Sequence, residues 1–242
     1  MGNDNSASNP FKKEDIISYQ QKKFICKIYM YKENILNGIS NGFFCLIPSS
    51  EQNNLIHVLI TTYRTINENT FEDNTEIKLS LNNDAEKKTI KIDCNRKIYM
   101  NKDYDITIIE IKPEIDKIKS FLELDDYLFK ENSEQIYNKT KIYLICYGKE
   151  NKMDSYYGDI DNIDQENLYH MSDTESGSGG CPILSLNSFK VIGVHLGRTP
   201  KEYKRGILLK YPLNEFKKRE HFIKIWVQLK QNNKGYIKNF FL

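Results

Sequence analysis

Short runs in which apolar residues alternate with polar ones, or crowd together without a break, recur along the chain with polar stretches between them. β-Branched and aromatic side chains dominate these runs, which suits a pleated, half-buried surface better than a helix. In the first half the predicted strands are Phe24–Tyr31, Gly42–Pro48, Ile56–Tyr63, Glu76–Leu81, Lys88–Cys94 and Asp105–Lys112. Six such strands are enough to close a small barrel. The span Pro113 to Asn138 shows no clear alternation and reads as a connector, with a short helix expected around "FLELDDYLF". A second series follows at Lys141–Gly148, Ser155–Ile163, Leu168–Asp173, Cys181–Leu186, Val191–Gly197 and Gly206–Pro212. Near the end, Phe222, Ile223, Trp226 and Leu229 recur at helical spacing, so a terminal amphipathic helix is expected to pack one face on the body. The pattern therefore predicts an all-β chain with an arm over 1–15, a barrel over 16–115, a connector over 116–138, a second barrel over 139–214, and a helix and tail over 215–242.

Composition narrows the class without changing the fold. Hydrophobic residues make up 39% of the 242 residues and charged ones 28%, ordinary values for a globular chain. The net charge of +2 gives no strong pull toward nucleic acid, which is not expected as a partner. The five cysteines are odd in number and mostly lie in or beside apolar runs, so they read as reduced core residues of a cytoplasmic protein. No secretory signal precedes the first strand, and no apolar run approaches the roughly 18 residues that span a bilayer. The opening "MGNDNS" fits the N-myristoylation pattern on Gly2, which implies peripheral membrane association. One acyl chain binds only marginally, so Lys12, Lys13, Lys22 and Lys23 would have to supply a second, weak signal. No His or Cys spacing suggests a metal site, and no cofactor is expected.

The stretch "TESGSGGCPIL", Thr174 to Leu184, carries the most chemistry. It stands late in the second half, while "LITTYRTI" follows the third predicted strand and "YDITIIEIK" holds the sixth. Together these segments resemble the chymotrypsin-like serine peptidases, in particular the small intracellular trypsin-like domains, over about Phe24 to Asn214. The resemblance implies a chymotrypsin-like double β-barrel followed by a C-terminal α-helix. In that family the general-base histidine follows the strand ending "LIT", as in "LITNNHVL", and Arg64 occupies its place here. The orienting aspartate matches Asp105. The nucleophile loop typically reads "TEKGSSGSPIL", which puts Gly179 on the serine. The strand "VIGVHLG" is similar to the "VIGIHxG" strand of glutamyl endopeptidases, in which the histidine reads an acidic side chain. On that likeness His195, Thr174 and His170 would form a relic pocket for Glu or Asp; the other reading of His195 is a core histidine bonded to backbone.

The substitutions decide the expected chemistry. Acyl transfer on this plan needs a hydroxyl nucleophile and an imidazole that accepts its proton. Arginine stays protonated at physiological pH and glycine has no nucleophile. Arg64 is expected either to pair with Asp105 or to point into solvent while backbone amides satisfy the carboxylate. Gly177 and Gly179 would still offer backbone N–H groups as an empty oxyanion hole. The resulting expectation is a pseudoprotease that binds a peptide or protein as an adaptor or regulator. The alternative is an endopeptidase preferring acidic residues, with Ser178 or Cys181 as the nucleophile.

Overall fold

The computed structural model describes residues 19–218 apart from 33–34, 50–53, 74–75, 94, 149–151 and 200–202. Gly2, the arm over 1–15 and the expected helix carrying Phe222 to Leu229 lie outside the described residues. Seven strands of the first half form one antiparallel sheet: β1 (Ile25–Lys32), β2 (Ile35–Pro48), β3 (Leu55–Thr61), β4 (Glu76–Leu81), β5 (Glu86–Lys91), β6 (Ile98–Asn101) and β7 (Ile106–Glu110). Their order is β5-β4-β1-β2-β3-β7-β6, and the short β8 (Leu122–Glu123) adds parallel to β2.

The central strands of this sheet are buried on both faces, which explains their unbroken apolar runs. On β2, Phe43 and Cys45 face the core shared with the second half, while Phe44 between them faces a separate core inside the first half. Val58 and Ile60 divide from Leu59 in the same way on β3, and Ile108 from Ile109 on β7. Period-two alternation thus sorts one strand between two cores, each large side chain contributing about 1.5–3 kcal/mol on burial.

The second half is a closed barrel of six strands: β9 (Lys141–Tyr147), β10 (Met153–Asp164), β11 (Asn167–His170), β12 (Pro182–Ser185), β13 (Val191–Arg198) and β14 (Lys204–Leu208). The closing order is β10-β11-β14-β13-β12-β9, so every strand has two neighbours. The first half differs from the barrel expected for it, because among the described residues its end strands β5 and β6 are not hydrogen-bonded to each other. One face of the sheet is covered by a buried cluster of its own that includes Leu79, Ile90, Phe44 and Ile118.

Two local expectations change. "FLELDDYLF" holds β8 and turns, and helix appears at Pro113–Asp116 and Ser133–Tyr137. Asp125 organises that connector by accepting hydrogen bonds from the Tyr137 hydroxyl at 2.6 Å and the Tyr127 amide at 2.9 Å, with Ser188 Oγ as a third donor. The run expected to continue as strand to Pro212 turns into a helix over residues 210–218. Pro212 stands in its first turn, where the missing N–H costs nothing, and Leu213 and Phe216 face the core.

Candidate functional site

Two loops from the first half and one from the second meet beside the sheet-to-barrel junction. After β3 the chain bends sharply, with the Thr62 carbonyl accepting from the amides of Thr65 at 3.1 Å and Ile66 at 3.2 Å. Arg64 sits on the outside of that bend. Asp105 closes the turn before β7 with φ 53, a left-handed conformation that aspartate tolerates, and its amide donates to Lys102 O at 3.2 Å. Arg64 donates to this carboxylate three times: its backbone amide to Oδ1 at 3.1 Å, Nε to Oδ2 at 2.8 Å, and Nη2 to the same Oδ2. Both arrangements expected for Asp105 are therefore combined. The carboxylate side chain is only 12% exposed, whereas the arginine side chain is 60% exposed.

The glycine loop connects β11 to β12 and is anchored on β2. Asn41, buried within β2, donates its Nδ2 to Gly177 O at 2.9 Å and Tyr147 O at 3.2 Å, and accepts from the Tyr147 amide at 2.7 Å. Its own amide donates to Gly179 O at 3.2 Å, and Ser40 Oγ donates to the same carbonyl at 3.3 Å. Gly177 and Gly180 take φ of 91 and 89, which favours glycine. Gly180 is also pressed against β2, since a Cβ there would lie 2.2 Å from Asn41 O. Gly179 differs: an added Cβ would meet nothing nearer than Leu196 O at 4.0 Å. A cavity of about 430 Å³ opens beside Gly177, between it and Leu36, Asn41 and Tyr147.

Neither alternative nucleophile meets a base. The Ser178 hydroxyl is buried and donates to Glu175 O at 2.7 Å. Cys181 is fully buried, and burial first, then the neighbouring Cys146, pushes its thiol well above the usual range. Among the described residues no histidine side chain bonds either group.

His170, Thr174 and His195 come together, joined by Ser172, in one buried line. Ser172 Oγ lies 2.7 Å from His170 Nδ1, His170 Nε2 lies 3.0 Å from His195 Nδ1, and His195 Nε2 lies 3.4 Å from Thr174 Oγ1. Burial, then the charge of Lys204, lowers His170 to about 4; burial, His170 and the nearby cations hold His195 well below its ordinary value. Both rings are neutral at pH 7. Among the described residues no three His, Cys, Asp or Glu side chains are grouped as a metal site requires.

Nothing in the sequence pattern marks Asn41, Ser40, Ser172 or Tyr147 as part of the site. Asn41 left one trace, a polar residue between Ser40 and Gly42 just ahead of an apolar run; nothing in the sequence pairs it with a loop more than a hundred residues away.

No curated protein sequence matches the chain. Among solved structures, the serine endoprotease from Yersinia pestis superposes with a TM-score of 0.61 at 10% identity, covering 87% of this chain and 68% of that one. Deg5 superposes at 0.61 and 14% identity over 86% of this chain and 94% of its own. The active form of the Rv3671c protease from M. tuberculosis gives 0.55 and 14% over 84% and 82%. Likeness at such low identity shows the fold, which is chymotrypsin-like. The sequence model of peptidase S39 matches residues 53–217, well over half of the chain and all three of the loops described above. The chain belongs to the peptidase S39 family.

Proposed function

We propose that this member of the family binds a peptide or protein in its cleft without cleaving it, as a pseudoprotease with an adaptor or regulatory role. The observation that carries the reading is the Arg64–Asp105 pair beside a side-chain-free Gly179. A guanidinium cannot accept a proton at physiological pH, so the place of a general base holds a fixed cation. Loss of either base or nucleophile on this plan removes nearly all nucleophilic catalysis. The test is labelling of the folded protein with a fluorophosphonate and a thiol-reactive probe. No specific modification is expected; denaturation-sensitive labelling of Ser178 or Cys181 would replace this reading with that of a working endopeptidase.

The line His170–His195–Thr174 supports a relic preference for an acidic side chain, since a neutral imidazole carries one N–H and the threonine hydroxyl one O–H that a carboxylate can accept. Restoring Arg64→His and Gly179→Ser together is expected to give detectable cleavage after Glu or Asp in a peptide library. Cleavage confined to other residues would remove the acidic preference. Gly2 acylation and peripheral membrane association extend the same reading and rest on the N-terminal pattern alone. Mass spectrometry of the N-terminal peptide from the native source checks them, with a mass shift of one myristoyl group expected.

A further inference from the structure

We infer that the cleft holds the free C-terminal carboxylate of its ligand, so that the bound peptide ends where a substrate's scissile carbonyl would lie. This rests on the peptide-binding reading and names its ligand. Arg64 spends Nε and Nη2 on Asp105, while among the described residues Nη1 has no partner. The exposed member of the pair is thus the cation, and the covered member is the anion. Arg64 stands next to the glycine loop: Thr65 Oγ1 lies 2.7 Å from Ser40 Oγ, which donates to Gly179 O at 3.3 Å. On the loop itself, the amides of Gly177 and Gly179 have no acceptor among the described residues. The space a nucleophile would fill is open, with Leu196 O at 4.0 Å as the nearest atom to an added Cβ. Glu175, the loop's own carboxylate, lies over Gly148, its Oε2 2.4 Å from where a Cβ on that glycine would stand.

A cation, two backbone donors and an unfilled volume form a receptor for a planar anion with two oxygens. A terminal carboxylate gains charge-assisted hydrogen bonds there, whereas an internal peptide carbonyl is neutral and gains only ordinary ones. The cavity beside Gly177 leaves room for a chain that continues, so continuation is the alternative to be tested.

The test uses three pools of fluorescein-labelled octapeptides, seven positions randomised and the last fixed as Glu. The pools carry a free carboxylate, a carboxamide, or a four-residue extension that itself ends in a carboxamide, and binding is read by fluorescence polarisation. The free acid is expected to bind at least tenfold tighter than the other two. Arg64→Gln and, separately, Gly179→Leu are expected to abolish that preference, with circular dichroism and melting confirming that each variant is folded. Equal or tighter binding of the amide or extended pool overturns the inference and leaves peptide binding standing. Retention of the preference in folded Arg64→Gln overturns the role given to the arginine. Binding by none of the pools rejects both the inference and the reading beneath it.

Discussion

Gly179 and Gly180 are neighbours under opposite constraints. Gly180 combines φ 89 with a Cβ position 2.2 Å from Asn41 O, so Gly180→Ala must move β2 or the loop. A loss of roughly 2–4 kcal/mol is expected, which at this chain length lowers Tm by several degrees. Gly179→Ser meets open space and is expected to leave Tm within about 2 °C, consistent with a change under 0.5 kcal/mol. Melting curves of the two variants side by side check both. The buried histidines add a pH dependence. The folded state holds His170 near 4 while the unfolded chain titrates near 6.5, so the unfolded state binds the extra proton in between. Stability is therefore fully present above about pH 6.5 and is lost as pH falls toward 4, by about 3 kcal/mol from His170 alone. Denaturant titrations at pH 7.5 and 5 measure this slope, and His170→Gln is expected to flatten it.

At the level of elements, β2 is the strand on which the site depends. The side chain of one residue of it, Asn41, satisfies three backbone groups of the second half. Asn41→Ala strands those groups where water is scarce, an expected cost of about 2–4 kcal/mol. Hydrogen exchange should then rise first at the Tyr147 amide and across residues 175–180; unchanged exchange there would remove Asn41 from this role. β2 was also only half legible. Its apolar part from Gly42 announces a strand, but "ILNGISN" carries Gly, Asn and Ser and reads as a break, although it pairs with β1 from Ile35 onward. The two-residue β8 is too short to show a period, and the four-residue β6 follows a turn that hides it. Strands buried on one or both faces were plain because their residues are chosen by packing. Loop anchors such as Asn41 and Ser172 were not, because their partners are distant in sequence and a polar residue in a strand ordinarily means solvent.

Across the whole molecule the two halves share one core. Ile25, Phe43, Ile60 and Ile108 from the sheet lie in the same buried cluster as Ile142, Leu144, Val194 and Leu209 from the barrel region. The hairpin between β4 and β5 adds a polar clasp, with Asn83 bonding the Tyr147 hydroxyl and the Met153 amide. Unfolding is expected to be one transition, with circular dichroism and calorimetry coincident. Two separated transitions would mean that the halves are independent. The second barrel was foreseeable from evenly spaced runs. That β5 and β6 are not hydrogen-bonded to each other among the described residues was not, because closure depends on where the last strands land rather than on their pattern.

The line of Ser172, His170, His195 and Thr174 has a consequence for where a single hydrogen can sit. Each neutral ring carries one N–H, and the two rings face one another through Nε2 of His170 and Nδ1 of His195. If the rings adopted unlike tautomers, two hydrogens or two lone pairs would meet at 3.0 Å. Both must be Nε2–H, or both Nδ1–H, and a switch at one end reverses the other. Nitrogen-15 spectra should show the two imidazoles in the same tautomer, changing together when Ser172→Ala removes the hydroxyl partner at the far end.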